Sequence, residues 1–304
     1  MTQLSIVLIN YNSSSYTKKC IESLKASISS DISYDIIVVD NASEEKDYSN
    51  LKSFIEQDKV NLISSNLNTG FATGNMLGFE NCNSKYVLFL NNDTLVKDNF
   101  IQKLFNFMKS HPECGLCGGQ MFNENGEWVN SFGNLPSLWE RYLGKTLPRI
   151  LFPQFFKNPK QKFTSPQKVG FVSGSDLFVR SDVFKKVGGL DKDFFLYCEE
   201  EDLGLKMYKA GYTVYYIPDA HFIHYCGVST GRSLAMDKEF YISFKLMITK
   251  HFGKWGYLLF LPSLLFKHAK KIFKGHHLSL FLFILKGSPE KESIRYEKKI
   301  IAGR

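Results

Sequence analysis

Along the first hundred residues, short apolar runs alternate with stretches in which apolar residues recur at helical spacing. This alternation predicts repeated βα units, that is, an α/β fold with a Rossmann-like, mostly parallel sheet flanked by helices. Ligands bind to such sheets outside the carboxyl ends of the strands, so we expect a cleft at that edge. The predicted strands cover 4–10, 35–40, 60–65 and 86–91, and the predicted helices cover 16–27, 45–57 and the part of 68–82 after its glycines.

Polar clusters follow the first, second and fourth predicted strands, as "NYNS", "DNAS" and "NNDT". Asp93, in the last cluster, offers the oxygen ligands that Mg²⁺ or Mn²⁺ takes, and such a cation binds a diphosphate. His224 is the best remote candidate for a second ligand. Asp40, at the end of the second strand, is suited to hydrogen bonds from a ribose or a base. The alternative is ordinary turn and capping chemistry, above all for Ser43 and Thr94.

The second half of the chain is less regular. Residues 118–168 contain scattered Pro, Gly and aromatic residues and predict an excursion that carries a mobile acceptor loop. Strand character returns over 169–191, where we expect Ser181 to cap a short helix that ends at a Gly-Gly pair. Apolar residues at helical spacing predict a further helix over 199–212.

Four consecutive acidic residues, 199–202, follow an aromatic-rich run. Carboxylates near an apolar cleft suit general base catalysis, because partial burial raises their pKa toward the operating range. If the helix begins near Glu199, its period directs Glu199, Glu200 and Asp202 to different sides, so they do not share one role. The alternative is that the acids complement the dipole of the helix.

The 304 residues, 44% of them hydrophobic, are enough to form one globular unit with an appended segment. Six cysteines without an even framework, and no signal peptide before the first strand, indicate a reducing cytosolic location. We interpret Cys114 and Cys117 as buried thiols in preference to zinc ligands. No GxGxxG precedes Asp40, which disfavours a dinucleotide-binding fold. The segment "GFATGNMLG" lacks the GK[ST] ending of a phosphate loop, and its glycines are expected to let the backbone approach a ligand closely.

Most of the net charge of +8 lies near the C-terminus, where 267–304 contains ten Lys and Arg residues and three Glu residues. Two apolar runs, 257–266 and 278–287, are interleaved with this charge, and both are too short to span a bilayer. The mixture favours an anionic membrane surface over nucleic acid. The alternative is that 237–304 packs as helices on the rest of the chain and forms a homodimer contact.

Seven motifs together carry a family resemblance. In chain order they are "SIVLINYN", "IIVVDNAS", "NTGFATGN", "YVLFLNNDT", "SGSDLFVR", "GGLDKDFFLYCEEEDLGLKMYKAGY" and "HYCGVST". This series resembles family 2 inverting glycosyltransferases of the GT-A fold, in particular the rhamnosyltransferase-like bacterial branch. The resemblance covers roughly residues 1–235. It implies a catalytic domain with a sugar-nucleotide half (about 1–98) and an acceptor half (99–235), followed by a basic, apolar helical extension (236–304).

The resemblance implies roles for the sugar-nucleotide half. Asp93, in an "NND" version of the DxD motif, would bind the metal, Mg²⁺ or Mn²⁺, and the diphosphate. His224 matches the histidine of the family's HxGxS motif and would join it. Asp40 would contact the nucleoside. The other residues implied to surround the sugar nucleotide are Asn10, Tyr11 and Asn12 around the base, with Asn41, Gly70, Asn75, Asn91 and Asn92.

On the acceptor side the family pattern is aromatic-x-Glu-Asp-x-Asp-Leu. Here "YCEEEDL" places Glu200 where Asp is usual, which leaves the base open between Glu199 and Glu200. Ser173, Gly174 and Asp202 are implied as acceptor or sugar contacts.

The function implied is inverting transfer of rhamnose or another hexose from a dTDP- or UDP-sugar to a saccharide hydroxyl. The acceptor would be polyprenyl-diphosphate-linked, the process surface polysaccharide assembly, and the location the cytoplasmic face of a bacterial membrane. One alternative is a catalytically degenerate protein that binds a sugar nucleotide or a glycan. Another is a sugar-nucleotide nucleotidyltransferase, although "NYNSSSYTKK" lacks the glycine- and lysine-rich loop expected there.

Overall fold

This computed structural model describes residues 2–58, 60–225 and 233–297. The strands are β1 (Thr2–Asn10), β2 (Tyr34–Asn41), β3 (Asn61–Ser65), β4 (Ser84–Asn91), β5 (Thr94–Val96), β6 (Cys114–Phe122), β7 (Phe132–Gly133), β8 (Gln167–Val169), β9 (Phe171–Val172), β10 (Asp176–Arg180) and β11 (Thr213–His224). The helices are α1 (Ser14–Ser27), α2 (Glu45–Asp58), α3 (Gly70–Glu80), α4 (Phe100–Ser110), α5 (Leu138–Tyr142), α6 (Thr146–Leu151), α7 (Ser181–Lys186), α8 (Glu199–Lys209), α9 (Leu234–Ala269) and α10 (His277–Leu285). Short 3-10 helices cover Glu290–Glu292 and Ile294–Glu297.

The central sheet has the strand order β3-β2-β1-β4-β10-β6-β11-β5, with β8 paired to β11. Within the described ranges, six of its nine strands run in one direction and β5, β8 and β10 run in the other. The predicted mostly parallel sheet is confirmed. Because β1, β2 and β4 are parallel and in close register, with Asn10 opposite Asp40 and Ile9 opposite Asn91, their polar ends meet at one edge, as expected.

The parallel strands are apolar on both faces because helices cover both sides of the sheet. On β1, Leu4, Ile6 and Leu8 face one buried cluster, which includes side chains of α1, α2 and α4. Val7 faces the other cluster, which includes side chains of α7, α8, α9 and α10. The continuous apolar runs in the sequence therefore report a sheet between two helical layers.

Gly74 and Gly78 of α3 lie four residues apart and pack this helix tightly against β1. A Cβ added to Gly78 would lie 2.3 Å from Cγ1 of Val7, and one added to Gly74 would lie 3.0 Å from Cδ1 of Ile9. The expectation that these glycines make room for a ligand is wrong here, since β1 fills that space. Asn75, on the same helix, is buried and donates to the carbonyl of the residue one turn earlier.

Two local predictions have different outcomes. Ser181 does not cap α7, because it is the first helical residue and its side chain makes no capping hydrogen bond. The pair Gly188 and Gly189 does end the helix, with φ values of 83° and 62°. The interpretation of Cys114 and Cys117 as buried thiols is confirmed: both are fully buried in β6, and burial raises the pKa of the Cys117 thiol.

The C-terminal region is helical, as predicted, and α9 is interrupted at Gly253, which has φ 72° and ψ 178°. Phe244, Phe260 and Phe283 belong to the same buried cluster as the strands, so this region packs on the sheet domain. A domain boundary near residue 235 stays a prediction. No helix in the described part of the chain has the length and apolar character needed to cross a membrane. Residues 226–230 of the "HYCGVST" motif lie outside the described ranges.

Candidate active site

A buried polar network joins the ends of β1 and β2. The side-chain amide nitrogen of Asn10 lies 2.9 Å from a side-chain oxygen of each of Asp40, Ser43 and Asp47, which share its two hydrogens. The Asn10 oxygen accepts a hydrogen bond of 2.8 Å from Thr17 Oγ1. Asn10 and Asp40 have no exposed surface. In this structure the two side chains hold the strand ends together, and neither is open to a ligand as the family resemblance implied.

The residues after β1 are more accessible. Tyr11 is 37% exposed, and Asn12, the next member of the expected base pocket, is exposed as well. Asn12 has φ 52°, in the left-handed region that Asn adopts readily. Its Oδ1 accepts a 2.7 Å hydrogen bond from the backbone N–H of Glu44, and its own N–H donates to Ser43. Asn12 therefore fixes the loop that presents Tyr11.

Asn41 connects β2 to the start of α3. Its side chain accepts from the N–H of Thr69 at 2.9 Å and donates to the carbonyl of Gly70 at 3.2 Å. Gly70 has φ 79°, and a Cβ there would lie 2.2 Å from the carbonyl oxygen of Phe195. The N–H of Phe71 donates to that same oxygen at 2.8 Å. Gly70 is thus explained by the close approach of the Phe195 backbone, a contact that the sequence did not suggest.

Asp93 and His224 are brought together, as their assignment to one metal site requires. His224 is the last residue of β11, which pairs with β5 directly after the "NND" cluster. Its Nε2 atom lies 3.0 Å from Oδ1 of Asp93 and 3.3 Å from the side-chain amide nitrogen of Asn91. Asn92 points into the buried network instead, where its amide lies 2.7 Å from the hydroxyls of Ser13 and Thr17.

This edge fits a divalent cation that binds together with a diphosphate. A carboxylate oxygen and an imidazole nitrogen are both ligands for such ions, and Mg²⁺ in particular is held by one or two protein carboxylates plus substrate phosphates. Over the ranges that the structure describes, no group of three acidic, histidine or cysteine side chains is placed to hold a metal by itself. Asp93 and His224 would therefore supply only part of the coordination.

The acidic run begins helix α8 at Glu199, as predicted. Glu199 is buried, whereas Glu200 is half-buried. A Cβ added to Gly174 would lie 3.8 Å from Cδ and Oε2 of Glu200, so the carboxylate faces this glycine. Burial raises the pKa of both glutamates, and the charge of Glu200 raises that of Glu199 further. Glu200 is thus the more accessible of the two candidate bases.

The segment 173–175 lies between the metal edge and Glu200. The N–H of Asn91 donates to the carbonyl of Ser175 at 2.9 Å, and Gly174 faces Glu200. The hydroxyls of Ser173 and Ser175 lie 3.0 Å apart. The polar cluster at the end of β4 and the acidic residues at the start of α8 therefore both contact the same three-residue segment, 173–175.

Asp202 is not placed in this cleft. Its carboxylate is fully buried and lies 2.7 Å from Lys250 Nζ, 2.7 Å from His251 Nε2 and 2.9 Å from Lys206 Nζ. Burial would raise the pKa of Asp202, but the hydrogen bond from His251 and the charges of the two lysines outweigh it and lower the pKa to about 2. Asp202 anchors α8 to α9 and does not face an acceptor, contrary to the implied role.

Comparison with known proteins identifies the family of this chain. The family model for Glycosyl transferase family 2 matches residues 5–188, which is more than half of the chain. The chain belongs to this family. The chain is therefore a glycosyltransferase.

Curated relatives of this glycosyltransferase include two rhamnosyltransferases. The chain is 27% identical over 272 residues to N-acetylglucosaminyl-diphospho-decaprenol L-rhamnosyltransferase of Mycobacterium tuberculosis, covering 83% of this chain and 86% of that protein. It is 28% identical over 232 residues to rhamnosyltransferase WbbL of Escherichia coli, covering 72% and 82%. The expected likeness to the rhamnosyltransferase branch is confirmed.

Solved structures confirm the GT-A type of fold for this glycosyltransferase. S. aureus TarS 1–349 matches with a TM-score of 0.55 and 16% identity, covering 90% of this chain and 74% of that one. GalNAc-T7 with UDP, GalNAc and Mn²⁺ matches with a TM-score of 0.64 and 12% identity, covering 98% and 56%. At these identities the likeness concerns the fold alone.

One buried acid of the glycosyltransferase had no role in the sequence analysis. Asp176, in the "SGSDLFVR" motif, is fully buried and accepts a hydrogen bond from the N–H of Gly119. Burial raises the pKa of Asp176 well above its usual range. Its only sequence signal is an acid next to the apolar run of β10, and its contact pins the start of β10 to β6, beside the segment 173–175.

Proposed function

We propose that the protein transfers a hexose, with rhamnose the leading candidate, from a dTDP- or UDP-sugar to a hydroxyl of a polyprenyl-diphosphate-linked saccharide. The observation that carries the proposal is the short connection from the Asp93–His224 pair through 173–175 to Glu200. This connection supports a leaving-group site at Asp93 and His224 beside a candidate base at Glu200. The printed names of the rhamnosyltransferase relatives support the choice of sugar and of a lipid-linked acceptor.

Asp93 and His224 would hold a Mg²⁺ or Mn²⁺ ion at the leaving group, and Asn91 would orient the imidazole. When bound, the cation supplies Lewis acid stabilisation of the negative charge on the departing diphosphate. Asn92 keeps this edge rigid, because its side chain is held inside the buried network. Tyr11 would lie against the nucleoside base.

Glu200 would act as the general base. It accepts the proton of the acceptor hydroxyl while that oxygen forms a bond to the anomeric carbon of the donor sugar. The bond from this carbon to the diphosphate oxygen breaks on the opposite face, so the configuration inverts and the nucleoside diphosphate leaves. Glu199 is disfavoured for this role because its side chain is only 2% exposed.

A membrane-facing surface would bring the enzyme to a lipid-linked acceptor. Large apolar side chains are exposed on the second part of α9, after α9 and on α10, where Trp255 is 81% exposed and Phe273 is 100% exposed. Lysines lie between them, as on helices that rest at an anionic lipid surface. We therefore place the enzyme as a peripheral protein at the cytoplasmic face of the membrane.

The test measures nucleotide release from a panel of dTDP- and UDP-sugars, with an N-acetylglucosaminyl diphosphate on a farnesyl chain as acceptor. Each reaction is run with Mg²⁺, with Mn²⁺ and with EDTA. We expect metal-dependent release from one donor, loss of that release in Glu200→Gln, and retention in the matched control Glu201→Gln.

Binding of a donor by calorimetry without turnover of any donor would contradict the proposal and favour a degenerate binding protein. Equal activity of Glu200→Gln and wild type would remove Glu200 as the base.

A further inference from the structure

A cavity of about 810 Å³ lies between α9, α10 and the segment that leads into α8. We propose that it binds the diphosphate group of the lipid-linked acceptor. This inference rests on the proposed function and assigns a site to the part of the acceptor that does not react.

The cavity is rich in positive charge. Lys267, Lys271 and Lys274 line it, and Asp237 is the carboxylate in its wall. Lys271 and Lys274 are exposed at the cavity, and neither takes part in any salt bridge within the described ranges. Charge-assisted hydrogen bonds to phosphate oxygens are among the strongest that lysines make. The cavity therefore offers cationic partners suited to a polyanion.

The rear of the cavity is a preformed chain of hydrogen-bonding groups. The hydroxyl of Tyr241 lies 2.6 Å from Nε2 of His268, and Nδ1 of His268 lies 2.9 Å from Nδ1 of His277. Lys267 donates to the Tyr241 hydroxyl at 3.1 Å. His268 is buried, and its burial and the charge of Lys267 lower its pKa to about 4. His268 is therefore neutral near pH 7, and its hydrogen bonds to Tyr241 and His277 hold it in place behind the cationic lysines.

The cavity is close to the candidate base along the chain. Tyr197 lines it and packs against Phe240 of α9. Tyr197 lies three residues before Glu200, so their Cα atoms are at most about 11 Å apart. Part of the cavity wall therefore lies near Glu200, as the inference requires of one acceptor with its diphosphate in the cavity and its sugar at Glu200.

The surroundings of the cavity favour a lipid-linked ligand over a free diphosphate. Phe266 and Phe273 lie next to the cavity lysines in the chain and are 60% and 100% exposed. Leu278 and Leu282 of α10 are also exposed. Apolar side chains around a cationic site suit an isoprenoid chain that stays in the membrane while its head group enters the cavity.

The test measures binding of N-acetylglucosaminyl diphosphate on a farnesyl chain to the full-length protein by calorimetry, without donor and with EDTA. EDTA removes binding that a cation at Asp93 would support. The double variant Lys271→Gln/Lys274→Gln is compared with Lys286→Gln/Lys291→Gln, which removes the same charge at exposed positions outside the cavity. We expect the cavity pair to weaken binding at least about tenfold, and the control pair to change it less than about twofold.

Unchanged binding by the cavity pair, or equal weakening by both pairs, would overturn the inference. Vesicles of equal parts phosphatidylcholine and phosphatidylglycerol identify the other source of phosphate. If the cavity pair lost vesicle binding but kept the farnesyl ligand, the site would take a phospholipid head group and the inference would be wrong. The single variant Lys274→Glu reverses one charge of the cavity and should also weaken binding of the farnesyl ligand. Thermal unfolding checks that this variant is folded.

Transfer to the same farnesyl acceptor separates this inference from the proposed function. If the wild-type protein transferred sugar to this acceptor, and Lys271→Gln/Lys274→Gln bound the acceptor as tightly as wild type, the proposed function would stand and the diphosphate site would be refuted. If Lys271→Gln/Lys274→Gln weakened acceptor binding but no donor supported transfer by the wild-type protein, the diphosphate site would stand and the proposed function would be refuted.

Discussion

The imidazole Nε2 of His224 lies 3.0 Å from the carboxylate of Asp93, although one residue ends β11 and the other follows β4. Neither side chain alone is a convincing metal ligand, and the pairing of β11 with β5 is what joins them. The pair faces the edge where the three parallel strands end. Because the two side chains are in contact, replacement of either residue should affect the same step, the release of the nucleotide.

Asp93→Asn is expected to lower the rate of nucleotide release about 10²- to 10³-fold, the cost typical of losing one electrostatic contact to a transition state. His224→Ala is expected to lower it about 10- to 100-fold. The measurement is release as a function of Mn²⁺ concentration, since loss of a ligand also raises the Mn²⁺ concentration required. His221→Gln, on the same strand, is the control. An unchanged Mn²⁺ requirement in both variants would remove the pair from the metal site.

The base assignment predicts a pH profile. Because burial raises the pKa of Glu200 above its usual value of 4.5, activity should fall on the acid side at a pH above 4.5. The active form is the carboxylate, so activity is present above that pKa and is lost as the pH falls through it. Glu200→Asp should retain part of the activity, and Glu200→Gln should lose it across the whole range. The measurement is kcat/KM from pH 5 to 9, and an acid limb retained in Glu200→Gln would assign the limb to another group.

The sequence predicted what depends on local pattern. The apolar runs gave the strands, and the parallel order placed Asp93 at the ligand edge. The meeting of Asp93 with His224 depends on the antiparallel pairing of β5 with β11, which no local pattern encodes. The family resemblance implied an acceptor or sugar contact for Asp202, and its actual partners, Lys250 and His251 on α9, are likewise encoded by no local pattern.

Glycine positions are ambiguous in a different way. A glycine shows that something approaches the backbone, but not what approaches it. At Gly70 the neighbour is the Phe195 carbonyl, and at Gly78 it is Val7, where a ligand had been expected. The four-residue spacing of the α3 glycines was the signal for close packing of this helix on a strand.

The buried ion cluster around Asp202 predicts a pH-dependent stability. The pKa of Asp202 is about 2 in the folded protein against an ordinary value of 3.8, so the cluster stabilises the fold by about 2 kcal/mol above pH 3.8. This contribution is lost as the pH falls from 3.8 toward 2, with about half of it gone by pH 3. At pH 7, Asp202→Asn should cost about 2 kcal/mol, because Lys206 and His251 lose their carboxylate partner while Lys250 keeps Asp191 at 2.5 Å.

Urea unfolding at pH 7, 5 and 3 measures this effect as the difference between wild type and Asp202→Asn. The difference should be constant between pH 7 and 5 and smaller at pH 3. Asp182→Asn, which changes an exposed aspartate, should show a difference near zero throughout. A difference that stayed the same at pH 3 would show that the carboxylate is not held ionised by the cluster.

The contact between Gly78 and Val7 gives a prediction in which two effects have opposite signs. Replacing a helical glycine by alanine usually stabilises a helix by about 1 kcal/mol. A Cβ at 78, however, would lie 2.3 Å from Cγ1 of Val7, and overpacking of a core costs about 1 to 3 kcal/mol. We expect Gly78→Ala to destabilise the fold on balance. Gly74→Ala should be nearly neutral, because there the nearest atom is the tip of Ile9 at 3.0 Å and the next is Nδ2 of Asn41 at 3.5 Å.

A double-mutant cycle with Val7→Ala isolates the contact. Val7→Ala removes the closest methyl groups that the new Cβ would strike and leaves Cγ2 of Val39 at 3.3 Å, so Gly78→Ala should become much less destabilising in the Val7→Ala background. The free energy of unfolding in urea gives the four values, and the coupling should be at least about 1 kcal/mol in favour of the double variant. Equal effects of Gly78→Ala in both backgrounds would mean that α3 shifts away from β1 at little cost, and that the glycine spacing has another cause.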